Sequence, residues 1–380
     1  MNTLSQICNR CIMDTTAAEI IFDKDGNCNY CNDLIKRINS NKNKLEKNKN
    51  KLNDFVFKIK KNNYKKKYNC IVGLSGGVDS SYVLLKAVEL GLKPLAVHLD
   101  NGWNSELAQH NISNLVNKLN VDLYTHVVDW TEYKNLQEAF FRANVIDIEL
   151  LMDNAMLAIN YQTANKYNIK NILSGTNTST EGMRIPKNWS WFKNDVRNIK
   201  FIGKKFSNQK IKTLLTFSTL DFIYYEIFKR IKWVLFLDNF EYIKEEAIKE
   251  LKDKCNYKAY QHKHYESVFT RFYQAYILPK KFNVDKRKHH LSNLIATNQL
   301  DRNKALSIMK QSTYHNADEE KKDVNFFLKK MNWSNERLQN YLTEPEIQHD
   351  FYPSEFRLWN NLKFIYLKLK KIRSYLSEKN

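Results

Sequence analysis

Apolar positions are distributed unevenly along the chain, and the unevenness predicts its elements. Residues 69–74 form a continuous apolar run closing on a glycine, the pattern of a buried strand. Residues 75–77 read as a turn, 78–90 have helical spacing, and Gly91 marks the stop. The alternation repeats: strands at 94–99, 123–128 and 171–174, helices at 106–119 and 151–167. Strands separated by helices at this spacing predict an α/β fold, a doubly wound parallel sheet with helices on both faces. Ligands in such folds bind beyond the carboxyl ends of the strands. From about Thr180 the alternation gives way. Residues 186–330 read as a mainly helical, aromatic-rich substrate or partner region, and 331–380 as a charged helical tail. Upstream, 35–68 are rich in Lys and Asn, with sparse apolar positions such as Leu45, Leu52 and Phe55, and predict a charged helical connector. Residues 1–34 form a small cysteine-bearing module, and 69–185 the sheet domain.

Composition sharpens two points. Glycine is scarce, nine in 380 residues, yet three fall at Gly73, Gly76 and Gly77. The formal charge of +20 fits a polyanionic partner or a nucleotide-linked substrate. It fits equally a chain in which Lys and Asn are inflated throughout. Much of the excess lies in 42–67 and 368–379, which read as solvated helix faces, so a nucleic-acid partner is not expected. The most apolar stretch, 222–240, carries Lys229, Arg230 and Lys232 at its centre, which argues against a membrane span. The polar first ten residues lack a secretory core, so the expected location is the cytoplasm.

Gly73-Leu74-Ser75-Gly76-Gly77-Val78-Asp79-Ser80-Ser81 lies between a predicted strand and helix. Gly76 and Gly77 let backbone N–H groups approach an anion, and the following helix adds positive charge at its start. Ser75 and Ser80 offer hydroxyl donors. Asp79 beside a phosphate makes sense with Mg²⁺ between the two anions. The loop lacks the Lys-Ser/Thr of a Walker motif. It resembles the pyrophosphatase (PP) loop, Ser-Gly-Gly-x-Asp-Ser, of GMP synthetase, asparagine synthetase and the tRNA thiolases, which split ATP to AMP and pyrophosphate. That resemblance implies ATP, with its β- and γ-phosphates on Gly73–Ser80. It places adenosine near His98, Asp100 and Asn101 after the second strand, and near Gly175, Thr176 and Asn177 after the fourth.

Cys8-x-x-Cys11 and Cys28-x-x-Cys31 are separated by sixteen residues. Two such knuckles around a short hairpin give four thiolates with tetrahedral reach, the pattern of structural Zn²⁺. A redox pair or an iron–sulfur cluster are the alternatives. With no fourth position left open, the site predicts a structural ion that supplies folding energy on the order of 10 kcal/mol.

Together these blocks resemble the N-acetyl sugar amidotransferase family of bacterial surface-polysaccharide and pseudaminic acid biosynthesis. The resemblance runs from Cys8 to about Met309. It rests on Cys8-Asn-Arg-Cys-Ile-Met-Asp-Thr15, His98-Leu-Asp-Asn-Gly-Trp-Asn-Ser105, Asp147-Ile-Glu149 with Asp153-Asn-Ala155, and Ser174-Gly-Thr-Asn177. Lys263-His-Tyr-Glu-Ser267, Phe272-Tyr-Gln274 and Asp285-Lys-Arg287 complete it. The chain departs from the pattern at Asn154, where histidine is expected, and at Tyr260-Gln-His262, where glycines are expected. The resemblance implies adenylation of an N-acetyl carbonyl oxygen and its replacement by ammonia, giving an acetamidino sugar. It implies an N-acetylated sugar substrate and separate glutaminase and cyclase-like subunits, as in histidine biosynthesis, to supply ammonia. Asp79, Glu149, Asp153, Lys263 and His264 are then the candidate catalytic residues: Asp79 for the metal, Lys263 and His264 for phosphate, Glu149 and Asp153 for ammonium or sugar hydroxyls. Arg271 reads either as a phosphate partner or as a structural cation. The rival reading is a tRNA thiolase, which needs an active-site cysteine; only Cys70 and Cys255 remain after the zinc set.

Overall fold

The computed structural model describes residues 6–42, 45–260 and 265–378. Its centre is a five-stranded parallel sheet in the order β3-β2-β1-β4-β5. The strands are β1 (Cys70–Gly73), β2 (Pro94–Asp100), β3 (Leu123–Val127), β4 (Asn171–Ser174) and β5 (Lys232–Leu235). The first four fall where the apolar runs predict them. β5 does not: the alternation resumes inside a stretch read as helical. Its position explains the miss. It is an edge strand, exposed at Lys232 and Leu235, so it lacks the continuous apolar signature of a central strand. The sheet domain therefore draws in segments well beyond residue 185.

Alternate residues of β1 feed opposite faces. Cys70, Val72 and Leu74 pack with α3 (Val78–Glu89), α4 (Glu106–Leu119) and the helix Lys244–Cys255. Ile71 packs with α6 (Leu150–Lys166) on the other side. α6 is buried on most sides, its polar Asn154, Asn160 and Thr163 included, because it lies between the sheet and other helices. The expected charged connector also contributes. α1 (Asn29–Lys42) begins inside the cysteine module, and α2 (Leu45–Asn62) buries Leu52, Val56 and Ile59 in the same core as β1. At roughly 1.5–3 kcal/mol per buried aliphatic side chain, α2 is part of the sheet domain rather than a spacer. An additional helix, α5 (Trp130–Arg142), capped by Asp129, carries Phe140 and Phe141 into a third core. That core joins Trp103, Phe269, Phe272 and Phe327 to the cysteine module and the C-terminal helices. A four-residue helix, α7 (Thr178–Glu181), follows β4, and α8 (Val196–Ser207) packs on α5.

Candidate active site

β1 and β4 are neighbours whose onward connections run to opposite faces, the crevice where such sheets bind ligands. A cavity of about 460 Å³ opens there, beyond the strand ends. Gly73, Leu74 and Ser75 form one side of it. Gly76 has φ of +83°, and a Cβ would stand 2.9 Å from the Ala108 carbonyl oxygen, so only glycine fits. Gly175 lets β4 approach the start of α3: a Cβ there would lie 2.9 Å from the Ser80 nitrogen. Ser75 and Ser80 bond each other (3.2 Å), the Gly77 N–H donates to Ser75 (3.3 Å), and the Ser80 hydroxyl donates to the Gly77 carbonyl (3.2 Å). Tyr257 and Tyr260 both donate to the Gly76 carbonyl at 3.1 Å. The loop is thus braced from behind, while Gly77, which caps α3, makes no side-chain capping bond. The start of a helix such as α3 is a position suited to an anion.

His98 is a positioning residue. Its Nδ1 donates to the Leu74 carbonyl (2.8 Å), and its Nε2 accepts from the Asn104 amide (2.9 Å). Burial lowers its pKa, which keeps the ring neutral in this tautomer. His98 and Asn101 line the cavity, whereas Asp100 turns back to accept from the Gly102 N–H (2.9 Å). Of the cluster after β4, Thr176 lines the cavity. Asn177 instead caps α7, accepting from the Thr180 N–H at 2.9 Å. Asp79 does not line this cavity; it stands at the start of α3 with its carboxylate accepting from Tyr242. An oxygen donor beside the loop fits a hard cation such as Mg²⁺.

The opposite wall is built from charged side chains. Glu149 and Asp153 both line it. Glu149 is buried, paired with Lys286 (3.1 Å) and accepting from Gln274 (3.1 Å). Asp153, about one-third exposed, pairs with Lys193 at 2.8 Å. Lys193 also holds buried Asp147 at 2.6 Å. Burial opposes ionisation of Asp147, but Lys193, Lys286 and His349 outweigh it and hold its pKa at about 2. Asp153 goes the other way. Burial, reinforced by Glu149 and Asp147, raises its pKa against the pull of Lys193.

Two buried atoms on the cavity wall have no hydrogen-bond partner among the described residues: Asn160 Oδ1 and Thr270 Oγ1. An orphaned buried polar atom is costly unless a ligand satisfies it. Between them, Met152, Met156, Ile185 and Trp189 supply an apolar surface. Lys193, Asn160 and Thr270 carried no motif in the sequence. Gln274 and Lys286 lay within blocks of the family resemblance, but nothing there marked a role. Lys263 and His264 lie outside the described residues; Glu266, a little further along, lines the cavity.

Three other expectations resolve. Asn154, the off-pattern position, is a buried clamp: its amide donates to the Lys193 (2.7 Å) and Phe217 (2.8 Å) carbonyls and accepts from the Phe217 N–H (2.9 Å). It does not face the cavity. Arg271 is a structural cation, paired with buried Asp323 and stacked 4.8 Å from the Tyr265 ring centroid. Cys70 and Cys255 are buried in the core, away from the cavity, and burial raises both thiol pKa values. Neither is placed for sulfur transfer.

Cys8, Cys11, Cys28 and Cys31 converge, their sulfurs all within 4.8 Å of one another, with 3.7 Å between Cys8 and Cys31. Zn–S bonds of about 2.3 Å place tetrahedral sulfurs at about this spacing, so the set fits Zn²⁺. Backbone amides of Cys11 (3.4 Å) and Cys28 (3.1 Å) point at the Cys8 sulfur, as in zinc knuckles. The module is not freestanding. Arg302 donates to the Cys8 (2.8 Å) and Cys11 (3.0 Å) carbonyls, the Ile12 N–H donates to Ser292 (3.1 Å), and Lys288 pairs with Asp14 (2.5 Å).

Sheet, loop and crevice define a PP-loop domain of the kind found in ATP-using synthetases, and residues 44–185 match the NAD synthase family. A second domain follows: residues 266–366 match the family described as LPS biosynthesis protein WbpG-like, C-terminal domain. Among solved structures, the NH3-dependent NAD synthetase from Campylobacter jejuni is 18% identical, with a TM-score of 0.27. The match covers 36% of this chain and 58% of that one, so the chain spans little more than half of that relative's length. The NMN synthetase from Francisella tularensis is 18% identical, covering 58% of this chain and 99% of that one, with a TM-score of 0.29. No curated protein matches.

Proposed function

We propose that this chain is an ATP-dependent sugar amidotransferase of lipopolysaccharide biosynthesis. It adenylates the carbonyl oxygen of an N-acetylated, nucleotide-linked sugar, then replaces that oxygen with ammonia to give an acetamidino sugar. One observation carries the reading: the first residues of the phosphate loop, Gly73–Ser75, and the paired side chains Glu149, Asp153 and Lys286 line one cavity.

The amide oxygen attacks the α-phosphate of ATP. A P–O bond forms, pyrophosphate leaves onto the loop, and an O-adenylated imidate results. An unactivated amide is a poor electrophile; the imidate, with AMP as leaving group, is a good one. Ammonia adds to the carbon, AMP departs, and an amidine remains. The loop amides stabilise charge on the departing pyrophosphate. Asp79 would hold the Mg²⁺ that neutralises the phosphates. Ammonium must lose a proton before it attacks, and Asp153, with its raised pKa, is the acceptor. Glu149, fixed by Lys286 and Gln274, orients sugar hydroxyls. Asn160 Oδ1 and Thr270 Oγ1 bond the substrate's polar groups, and Met152, Met156 and Trp189 keep water from the imidate. Ammonia is delivered by separate glutaminase and cyclase-like subunits in the cytoplasm.

The test is mass spectrometry of the purified chain with ATP, Mg²⁺, ammonium and a panel of N-acetylated nucleotide sugars. AMP formed one-for-one with a product in which NH replaces O supports the reading. AMP release only with tRNA and a sulfur donor would replace it with the thiolase. Turnover of glutamine by the chain alone would overturn the requirement for separate subunits.

A further inference from the structure

Lys193 acts on the cavity at one remove. It is not among the lining residues, yet its ammonium pairs with one that is, Asp153, at 2.8 Å. The lysine is held at two points. Its carbonyl accepts from the Asn154 amide (2.7 Å), which ties its backbone to α6 next to Asp153. Its ammonium pairs with buried Asp147 at 2.6 Å.

Asp147 is the better fixed of the two carboxylates. Its Oδ2 also accepts from the Trp191 N–H (2.6 Å) and the Ser190 hydroxyl (3.1 Å). Its side chain is 3% exposed, against 35% for Asp153. Its own N–H donates to His349 Nε2 (3.1 Å), while His349 Nδ1 donates to Asn198 Oδ1 (2.9 Å) and the ring stacks on Trp191, 5.1 Å between centroids. Asp147 is thus locked, and Lys193 stands where Asp147 puts it.

One ammonium therefore serves two carboxylates. Together they leave one net negative charge, which a proton on Asp153 cancels. A lysine given to Asp153 alone would favour its ionised form. Sharing divides that effect, and burial, Glu149 and Asp147 all work against it.

We propose that Lys193 is a positioning residue: anchored by Asp147 and Asn154, and shared between Asp147 and Asp153, it orients the Asp153 carboxylate and sets how readily that carboxylate takes a proton. The catalytic use of this arrangement rests on the reading of Asp153 as the acceptor from ammonium; the arrangement itself does not.

Other titratable groups surround Asp153. Glu149 stands at the start of α6, Tyr133 on α5, Lys286, His289 and His290 on the helix Lys286–Ala296, and Glu181 and Glu266 elsewhere on the cavity wall. All of them stay unchanged when only Lys193 or Asp147 is substituted, so differences between such variants report the shared lysine.

The experiment is titration of the Asp153 carboxyl in the full chain by carbon-13 NMR, with aspartate labelled at Cγ and the Asp153 signal identified by its loss in D153N. The pH profile of kcat/KM is measured beside it. K193M should raise the Asp153 pKa by about one pH unit or more, D147N should lower it by a similar amount, and K193R should keep it within about half a unit of the native value. Near-UV circular dichroism checks folding. Should K193M fail to fold because buried Asp147 is left unpaired, D147N and K193R carry the test. An Asp153 titration that D147N leaves unmoved or shifts upward overturns the proposal, as does one that a folded K193M does not raise. The NMR reading needs no turnover, so failure of the proposed reaction does not obscure it. If the carboxyl moves as expected and the pH profile does not follow, Lys193 keeps its positioning role and Asp153 loses that of proton acceptor.

Discussion

The two walls of the cavity are made of different materials. The nucleotide wall is backbone: amides of one continuous loop, shaped by glycines and braced from behind by Tyr257 and Tyr260. The opposite wall is side chains: Glu149, Asp153, Gln274 and Lys286 line it, and with Lys193, which pairs with Asp153, they come from four separate segments. Backbone amides carry no ionisable group, so the phosphate contacts proposed for the first wall should change little with pH. The second depends on protonation and on how well distant segments are held together. Damage to either should therefore be separable.

The largest separation should come from the cysteine module. If its four thiolates hold Zn²⁺, chelation or Cys11→Ser should cost on the order of 10 kcal/mol of local folding energy and free the helix Lys286–Ala296, which Asp14 and the Ile12 N–H anchor. Sugar turnover should fall more than about 100-fold while ATP binding by calorimetry persists, because the loop's braces lie elsewhere. Equal loss of both would show that the walls are one unit. Gly76→Ala is the mirror experiment. Its Cβ would meet the Ala108 backbone at positive φ, with strain of about 1–3 kcal/mol. AMP formation should drop about 100-fold, with sugar binding kept.

Lys286→Met tests the side-chain wall alone. It leaves buried Glu149 with Gln274 as its remaining described partner. KM for the sugar should rise about tenfold, with KM for ATP unchanged. The last effect concerns pH and is read on stability, not on turnover. Burial, aided by Lys193, lowers the His349 pKa from its ordinary 6.5 to about 3, although Asp147 opposes it. The unfolded chain takes a proton below 6.5 that the native chain refuses. Stability should thus fall as pH drops from 6.5 toward 3, by up to about 1.4 kcal/mol per pH unit. Asp147, held at about 2 against an ordinary 3.8, adds a further loss only below about 4. In His349→Gln the decline should begin near pH 4, read from urea midpoints across the range.

The same contrast explains what could be read from the sequence. Gly73–Ser80 and the two Cys-x-x-Cys pairs are contiguous, so spacing alone exposes them. His98 and Thr176 follow from the rule that ligands bind at strand ends; Asn177, at such an end too, is only a helix cap. Lys193 and Asn160 carry no local signature, because a lone lysine or asparagine acquires meaning only from what folds against it. β5 escaped because an edge strand between Arg230 and Phe236 has too few buried positions to show a strand pattern.

The clasp between Cys8, Cys11 and Arg302 spans 294 residues and sets an order of events during synthesis. At roughly 5–20 residues per second, about 15–60 s pass between emergence of the first cysteine and of the arginine that grips it. For that interval the knuckles are made but the surface that receives them is not. A metal ion captured early would hold the thiolates in one shape and keep them from oxidation until the far end of the chain arrives. Zinc supply during translation, rather than after it, should then set the yield of folded enzyme.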